Sequence, residues 1–190
     1  MNIKAEFFEM MYQNNSDPWQ FASSAYELNR YQKICDIVRN QRPHYIFEAG
    51  CSIGILTEKL AQIAHVVEAI DISSTAVALA QKRCHAFNNV KIQCDSLSNY
   101  VPNPRTDLFI LSEIGYYFYP EEWENIIRKI ILTQSSSFHL LASHWLGTSS
   151  DHLISADEVH SIICSLNVFQ LKRSVRTKDF RLDYWEKNND

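Results

Sequence analysis

The chain has 190 residues, 46% of them hydrophobic, enough to bury a full core in one domain without disulfides or a structural metal. Eighteen basic against twenty-two acidic residues leave a net charge of −4 with no basic stripe, which argues against a nucleic-acid partner. Five scattered cysteines with no CxxC pair, an N-terminus (MNIKAEFFEMMY) unlike a secretion signal, and no run near the roughly 18 apolar residues of a membrane span all point to a soluble, reduced, cytoplasmic protein.

Near the start, Pro18, Trp19 and Phe21 fall in a short irregular segment with the character of a lid. Ser24 and Glu27 in SAYE have the spacing of a capping box and open a helix that carries Tyr26, Arg30 and Tyr31 and that Pro43 stops. Residues 1–40 are therefore expected to form a helical cap, and residues 41–190 the main domain. The run YIFEAGCSIG, Tyr45 to Gly54, reads as strand, tight turn and helix start, and it holds two of only four glycines in the chain. A helix from about Ile55 follows, with Leu56, Leu60 and Ile63 on one side.

HVVEAIDIS is a continuous apolar strand ending in Asp71, STAVALAQKRC an amphipathic helix, and VKIQCD a third strand ending in Asp95. After a loop at Pro102 and Pro104 comes a fourth strand, DLFILSE, which delivers Ser112 and Glu113 into the aromatic loop IGYYFY. PEEWENIIRKIIL begins a helix with Pro120 at its first position. SFHLLASHW is the fifth strand, a second capping box (Ser155, Glu158) opens another helix, and VFQLKRSVRT with DFRLDYWEK forms a closing hairpin. Strands alternating with helices predict an α/β, Rossmann-like fold: a mostly parallel seven-stranded sheet, helices on both faces, and an antiparallel C-terminal hairpin.

In such sheets ligands bind beyond the carboxyl ends of the strands. Here those ends carry Glu48 with the glycine turn, Asp71, Asp95, and Ser112 with Glu113. Asp71 lies near the 20-residue offset beyond Gly50 from which an acid reaches ribose hydroxyls; capping of the next helix is its plainer role. A dinucleotide fingerprint needs glycine at 52 and glycine or alanine at 55, where this chain has Ser52 and Ile55. Acids plus a missing glycine favour S-adenosylmethionine, which is cationic at sulfur and has no phosphate. His139, His144, His152 and His160 show no metal-ligand spacing, and no metal is expected.

EAGCSIG, AIDIS, CDSL and LSEIGYY resemble the motifs of class I S-adenosylmethionine-dependent methyltransferases. SDPWQFASSAYELNRY, EAGCSIGILTEKLA, LSEIGYYF and HWLGTSSDHLISADEVH most resemble the nodulation protein S group, the chitooligosaccharide N-methyltransferases. Ser52 departs from the superfamily, which usually has glycine there. The resemblance implies that Gly50, Ser52 and Gly54 pass under the methionine part of the donor, with the Ala49 and Gly50 backbone nearest. Asp71 would hold the ribose hydroxyls and Ile72 the adenine face. Asp95 would accept from the adenine amino group, with Ser96 and Leu97 beside it. Arg30 would pair with the donor carboxylate, or else be a solvated helix residue, and Trp19 and Tyr26 would close over the site. Glu48 and Ser112 complete the donor side.

Methyl transfer is an in-line displacement that leaves S-adenosylhomocysteine and needs no covalent enzyme intermediate. An amine acceptor must be neutral, so a proton acceptor is useful, and Glu113 and His144, both expected just past the carboxyl ends of neighbouring strands, are the candidates. Tyr116 and Tyr117 would shape the acceptor site and face the cationic methyl group. The expected enzyme is a small-molecule methyltransferase, best read as acting on a sugar amine, and a monomer or weak dimer. O-methylation, a nicotinamide oxidoreductase and a non-catalytic binding module remain the alternatives.

Overall fold

The computed structural model describes residues 3–134 and 137–188; the outermost residues of the expected cap and main domain, and positions 135 and 136, lie outside the described residues. Seven strands form one sheet in the order β3-β2-β1-β4-β5-β7-β6. The strands are β1 (Tyr45–Ala49), β2 (Val66–Asp71), β3 (Val90–Cys94), β4 (Leu108–Ser112), β5 (His139–Trp145), β6 (Phe169–Arg176) and β7 (Phe180–Lys187). Met1–Asn99 and Tyr100–Asp190 each form a compact unit.

In the first unit β1, β2 and β3 are parallel, with Ala49 beside Ile70 and Asp71 beside Cys94, so their carboxyl ends share one edge. Helices α3 (Ile55–Ala61) and α4 (Ser74–Arg83) pack on these strands, with α2 (Ala25–Gln41) against α3 and α1 (Ile3–Asn14) against α4. Ile34, Val38, Phe47, Leu60, Val67 and Ala76 are among the buried core. β3 lies at the sheet edge, and only Ile92 of its five residues is buried.

α1 falls within the stretch expected to form a helical cap, as an element that the sequence does not delimit by itself. The capping box at Ser24 does not form: Ser24 stands at the helix start without a side-chain bond, and Glu27 turns inward to Arg30. That ion pair, both of whose side chains are buried, has charge-assisted bonds that outweigh a solvent-facing cap of roughly 1 kcal/mol.

In the second unit β4 and β5 are parallel, with Ser112 beside Ser143, and β7 pairs antiparallel with both β5 and β6. A bulge interrupts β6 between Leu171 and Arg173. The chain leaves β4 into a single 3-10 turn, Gly115–Tyr117, before α5 (Pro120–Thr133). On α5, Trp123, Ile126, Ile127 and Ile130 are buried, as their spacing predicts. The capping box of α6 (Ala156–Ser165) is formed: Ser155 N–H donates to Glu158, and Glu158 N–H donates to Ser155 Oγ. No helix among the described residues is long and apolar enough to cross a membrane.

Candidate active site

The glycine turn after β1 is built from three departures into left-handed backbone at alternate positions. Gly50 has φ +69°, Ser52 +51° and Gly54 +79°. At Gly54 a side chain would also meet the α-carbon of Ala80 at 3.0 Å, so glycine lets α4 pack tightly on the turn. Ser52 has no such freedom, and its conformation costs roughly 1–2 kcal/mol. Two hydrogen bonds hold it: its N–H donates to Asp71 Oδ2 at 2.8 Å, and its hydroxyl accepts from Tyr12 Oη at 2.6 Å.

Asp71 therefore works first on the protein. Its other oxygen accepts from the Ser73 N–H at 2.9 Å, ahead of α4, where Ser73 Oγ caps the helix at Ala76. The helix-start role and the turn-pinning role are both present, and a carboxylate has about four acceptor sites, more than these backbone bonds use. Burial drives the carboxyl up to about 6 against the pull of these backbone bonds. Glu48, on β1, is buried more severely, and desolvation raises it to about 8. Its Oε2 has no hydrogen-bond partner.

α1 supplies residues that the sequence did not single out. Glu9 accepts from Ser73 Oγ at 2.7 Å, from Thr75 N–H at 3.1 Å and from Thr75 Oγ1 at 2.5 Å, which brings a carboxylate to the positive end of α4. Bonds from Thr75 and Ser73 hold it down at about 2. Trp19 stacks on Phe21 at 5.4 Å and meets the Tyr12 ring edge-on at 5.6 Å, so the lid segment joins the helix that touches the turn. The nearest sequence signal was an acid among apolar residues in AEFFEMMY.

The other residues proposed for the donor side fall into different environments. Ala49 is buried on β1, and Ile72 is half-buried just past β2. Asp95 Oδ1 accepts from the N–H of Ser96 at 2.7 Å, closing its own turn, and Leu97 is buried below. Tyr26 is half-buried. Arg30 is not the solvated residue its helix position allowed: it is 1% exposed and its guanidinium bonds Glu27 and lies 5.0 Å from the Tyr31 ring centre.

In the second unit, Ser112 ends β4 half-buried and Glu113 leaves it with φ +56°. The Glu113 carboxylate is bound on both oxygens, by the Trp145 N–H at 2.9 Å and by the Tyr116 hydroxyl. Tyr116 stacks face to face on His152, ring centres 3.7 Å apart, and Tyr117 meets the same imidazole edge-on at 5.5 Å. Burial, with Asp151 and Glu113 nearby, raises Tyr117 far above the ordinary phenol range and keeps it neutral. Glu113, Tyr116, Tyr117, Trp145 and His152 thus make one aromatic and acidic cluster, of which His152 and Trp145 were missed.

His144 does not match its expected place. It lies within β5 rather than past its end, and it is 0% exposed. Its Nε2 accepts from the Gly115 N–H at 3.0 Å and its Nδ1 faces His160 Nε2 at 3.1 Å. With both ring nitrogens engaged inside the core, it is withdrawn as a base for the acceptor. Its fixed partners make it a support for the Gly115–Tyr117 turn.

The family profile described as nodulation protein S (NodS) matches residues 7–175. A nodulation protein S of Azorhizobium caulinodans is 27% identical over 166 residues, covering 83% of this chain and 78% of that protein. One from Sinorhizobium fredii is 26% identical over 102 residues, covering 53% of this chain and 47%, about half, of its own length. Among solved structures, N-methyltransferase NodS from Bradyrhizobium japonicum WM9, in complex with S-adenosylhomocysteine, superposes with TM-score 0.85 at 18% identity, over 97% of this chain and 99% of that one. Magnesium protoporphyrin IX methyltransferase from Synechocystis PCC 6803, with S-adenosylmethionine bound, gives 0.74 at 17% identity over 99% of each chain. The fold is that of the class I methyltransferases, and the chain belongs to the nodulation protein S family.

Proposed function

We propose that this protein transfers the methyl group of S-adenosylmethionine to a small amine, with a deacetylated chitooligosaccharide as the best specific acceptor. The observation that carries the reading is Glu48: a buried carboxylate whose Oε2 has no partner, on the strand that feeds the glycine turn, with Asp71 also pushed up by burial. A ligand bearing positive charge offsets that desolvation, whereas a pyrophosphate would meet two buried acids and a Ser52 already tied on both sides. The nicotinamide alternative loses on that ground. S-adenosylmethionine supplies an electrophilic methyl on a sulfonium.

On the donor side, the Gly50–Gly54 turn takes the methionine part and Asp71 offers its remaining lone pairs to the ribose. Ile72, Asp95, Ser96 and Leu97 receive the adenine, Arg30 takes the donor carboxylate, and Trp19 and Tyr26 shield the site. On the acceptor side, Glu113 receives or orients the amine proton. The carboxylate favours an amine over a hydroxyl, which needs a stronger base at the same distance. Trp145, 37% exposed, presents a ring surface suited to a sugar face. Tyr116 and Tyr117 shape the acceptor site. We place the enzyme in the cytoplasm, as a monomer or weak dimer.

Calorimetry with S-adenosylhomocysteine tests the donor side: Asp71→Ala should weaken binding on the order of 100-fold, because a charged acceptor and the pin on Ser52 are lost together. Unchanged affinity would sink the assignment. Labelled donor offered with chitosan oligosaccharide and with its N-acetylated form tests the acceptor, and methylation of the acetylated form alone would favour a hydroxyl.

A further inference from the structure

A chain of hydrogen bonds runs through the core of the second unit and ends on the turn that carries the tyrosines. Asp183 Oδ2 faces His160 Nδ1 at 2.7 Å, His160 Nε2 faces His144 Nδ1 at 3.1 Å, and His144 Nε2 accepts from the Gly115 N–H at 3.0 Å. His144, His160 and Asp183 are each 0% exposed. Asp183 also accepts from Ser174 Oγ at 2.5 Å and from Arg181 Nε at 2.7 Å.

Only one arrangement of protons satisfies every link. The Gly115 N–H is a fixed donor, so His144 Nε2 is bare and its proton sits on Nδ1. That proton points at His160 Nε2, which must then be the acceptor, so the His160 proton sits on Nδ1 and is given to Asp183. A charged His160 would put a donor against the only protonated nitrogen of His144 and is excluded. Burial, which lowers His160, agrees with a neutral ring.

We propose that His160 and Asp183 are positioning residues for methyl transfer, acting through His144 to hold Gly115 and the Tyr116–Tyr117 turn in place. The proposal rests on the reading that this turn and Glu113 face the acceptor. Gly115 has no slack: a side chain there would meet Val159 Cγ1 at 2.4 Å and His144 Nε2 at 3.1 Å. The next residue is held three further ways, by the Leu153 N–H on its carbonyl at 2.8 Å, by His152 on its ring, and by Glu113 on its hydroxyl. Reversing the protons of the relay would set His144 Nε2–H against the Gly115 N–H, two donors facing each other, and the turn would have to move.

The experiment is a long-range proton–nitrogen NMR spectrum of the folded protein, paired with kinetics on labelled S-adenosylmethionine and chitosan oligosaccharide. Both rings should carry their proton on Nδ1 and none on Nε2. Asp183→Leu removes the acceptor that holds the His160 proton on Nδ1 and leaves both tautomers unfixed. It should lower kcat on the order of 100-fold, as misplacement of reacting groups does, with S-adenosylhomocysteine affinity within about twofold. Should that variant not fold, a second pair decides. His160→Gln keeps an acceptor where Nε2 stood and should retain most of kcat, and His160→Asn, which cannot reach His144, should lose it. Nε2 protons in the unmodified protein, unfixed tautomers with unchanged kcat, or equal losses in the Gln and Asn variants would each overturn the relay. Nδ1 protons in a protein that binds S-adenosylhomocysteine yet methylates no amine would instead overturn the acceptor reading beneath it.

Discussion

Ser52 and Glu113 take almost the same backbone conformation, φ +51° and +56°, each just beyond the end of a strand where glycine would be free of strain. They are held differently. Ser52 is fixed from outside its own turn, by a tyrosine on α1 and an aspartate on β2. Glu113 is fixed by its own carboxylate, which reaches Tyr116 three residues on and the backbone of Trp145. The first arrangement ties the Gly50–Gly54 turn to the N-terminal helix; the second makes the Glu113 side chain the brace of the Gly115–Tyr117 turn. Strain concentrated at functional strand ends is a common pattern, and here it separates a site built by assembly from one built locally.

The largest test of this contrast is pH. Glu48 and Asp71, beside the Gly50–Gly54 turn, hold their protons more tightly folded than unfolded. The stability they contribute is complete below the usual carboxylate range and is lost as pH rises through about 6 for Asp71 and about 8 for Glu48. Glu9 runs the other way, contributing above its ordinary 4.5 and losing that contribution as pH falls toward about 2. Urea unfolding of the ligand-free protein should therefore show stability falling between pH 5 and 8, by up to about 4 kcal/mol from Glu48 alone. Glu48→Gln should flatten most of that slope; a slope unchanged in the variant would remove Glu48 as its source.

Next in size is Gly115→Ala. The added methyl collides with Val159 and should displace the Gly115–Tyr117 turn, costing about 3 kcal/mol in kcat/KM for the acceptor if that turn shapes its site as proposed. Binding of S-adenosylhomocysteine should stay near normal, and an equal loss in both would mean that the two sides are not built separately. Glu113→Gln keeps an oxygen for the Trp145 N–H but loses the charge that binds Tyr116. Thermal unfolding should register about 1–2 kcal/mol, with a larger fall in methyl transfer.

Ser52 gives the smallest and sharpest readout. Ser52→Gly relieves the strain while losing the Tyr12 bond, and should stay within about 1 kcal/mol of the parent. Ser52→Ala keeps the strain and loses the bond, and should fall about 1 kcal/mol below the glycine variant. If alanine and glycine melt together, the left-handed conformation is not strained.

Strands β1, β2 and β4 were readable because each is a short apolar run closed by an acid or a turn, a pattern set by burial on both faces. The cap of α6 and the proline start of α5 were readable for local reasons, since both depend on residues within one turn. The failures are non-local. Glu27 fits a capping box in sequence but finds Arg30 in the interior. Glu9 meets its partners Ser73 and Thr75 more than sixty positions away. His144 was placed by its distance from a strand end, and its withdrawal follows from His160. That residue lies on the same side of α6 as Ala156 and Ile163, and the hint to it was an aspartate, Asp183, among Leu182, Tyr184 and Trp185. An acid inside an apolar strand asks for a buried partner, and spacing alone does not name it.

The bulge in β6 bears on how the protein behaves when crowded. β6 ends the sheet with one whole edge unpaired, which is the template on which chains stack into aggregates. The irregularity between Leu171 and Arg173 breaks the regular ladder, and Lys172, Arg173 and Arg176 are all exposed along the strand. A second molecule approaching that edge meets mismatched spacing and long basic side chains, of which Lys172 and Arg176 are ion-paired to Glu186 and Asp157. Neutralising these three residues should lower the concentration at which the protein precipitates, well before it changes how the enzyme folds.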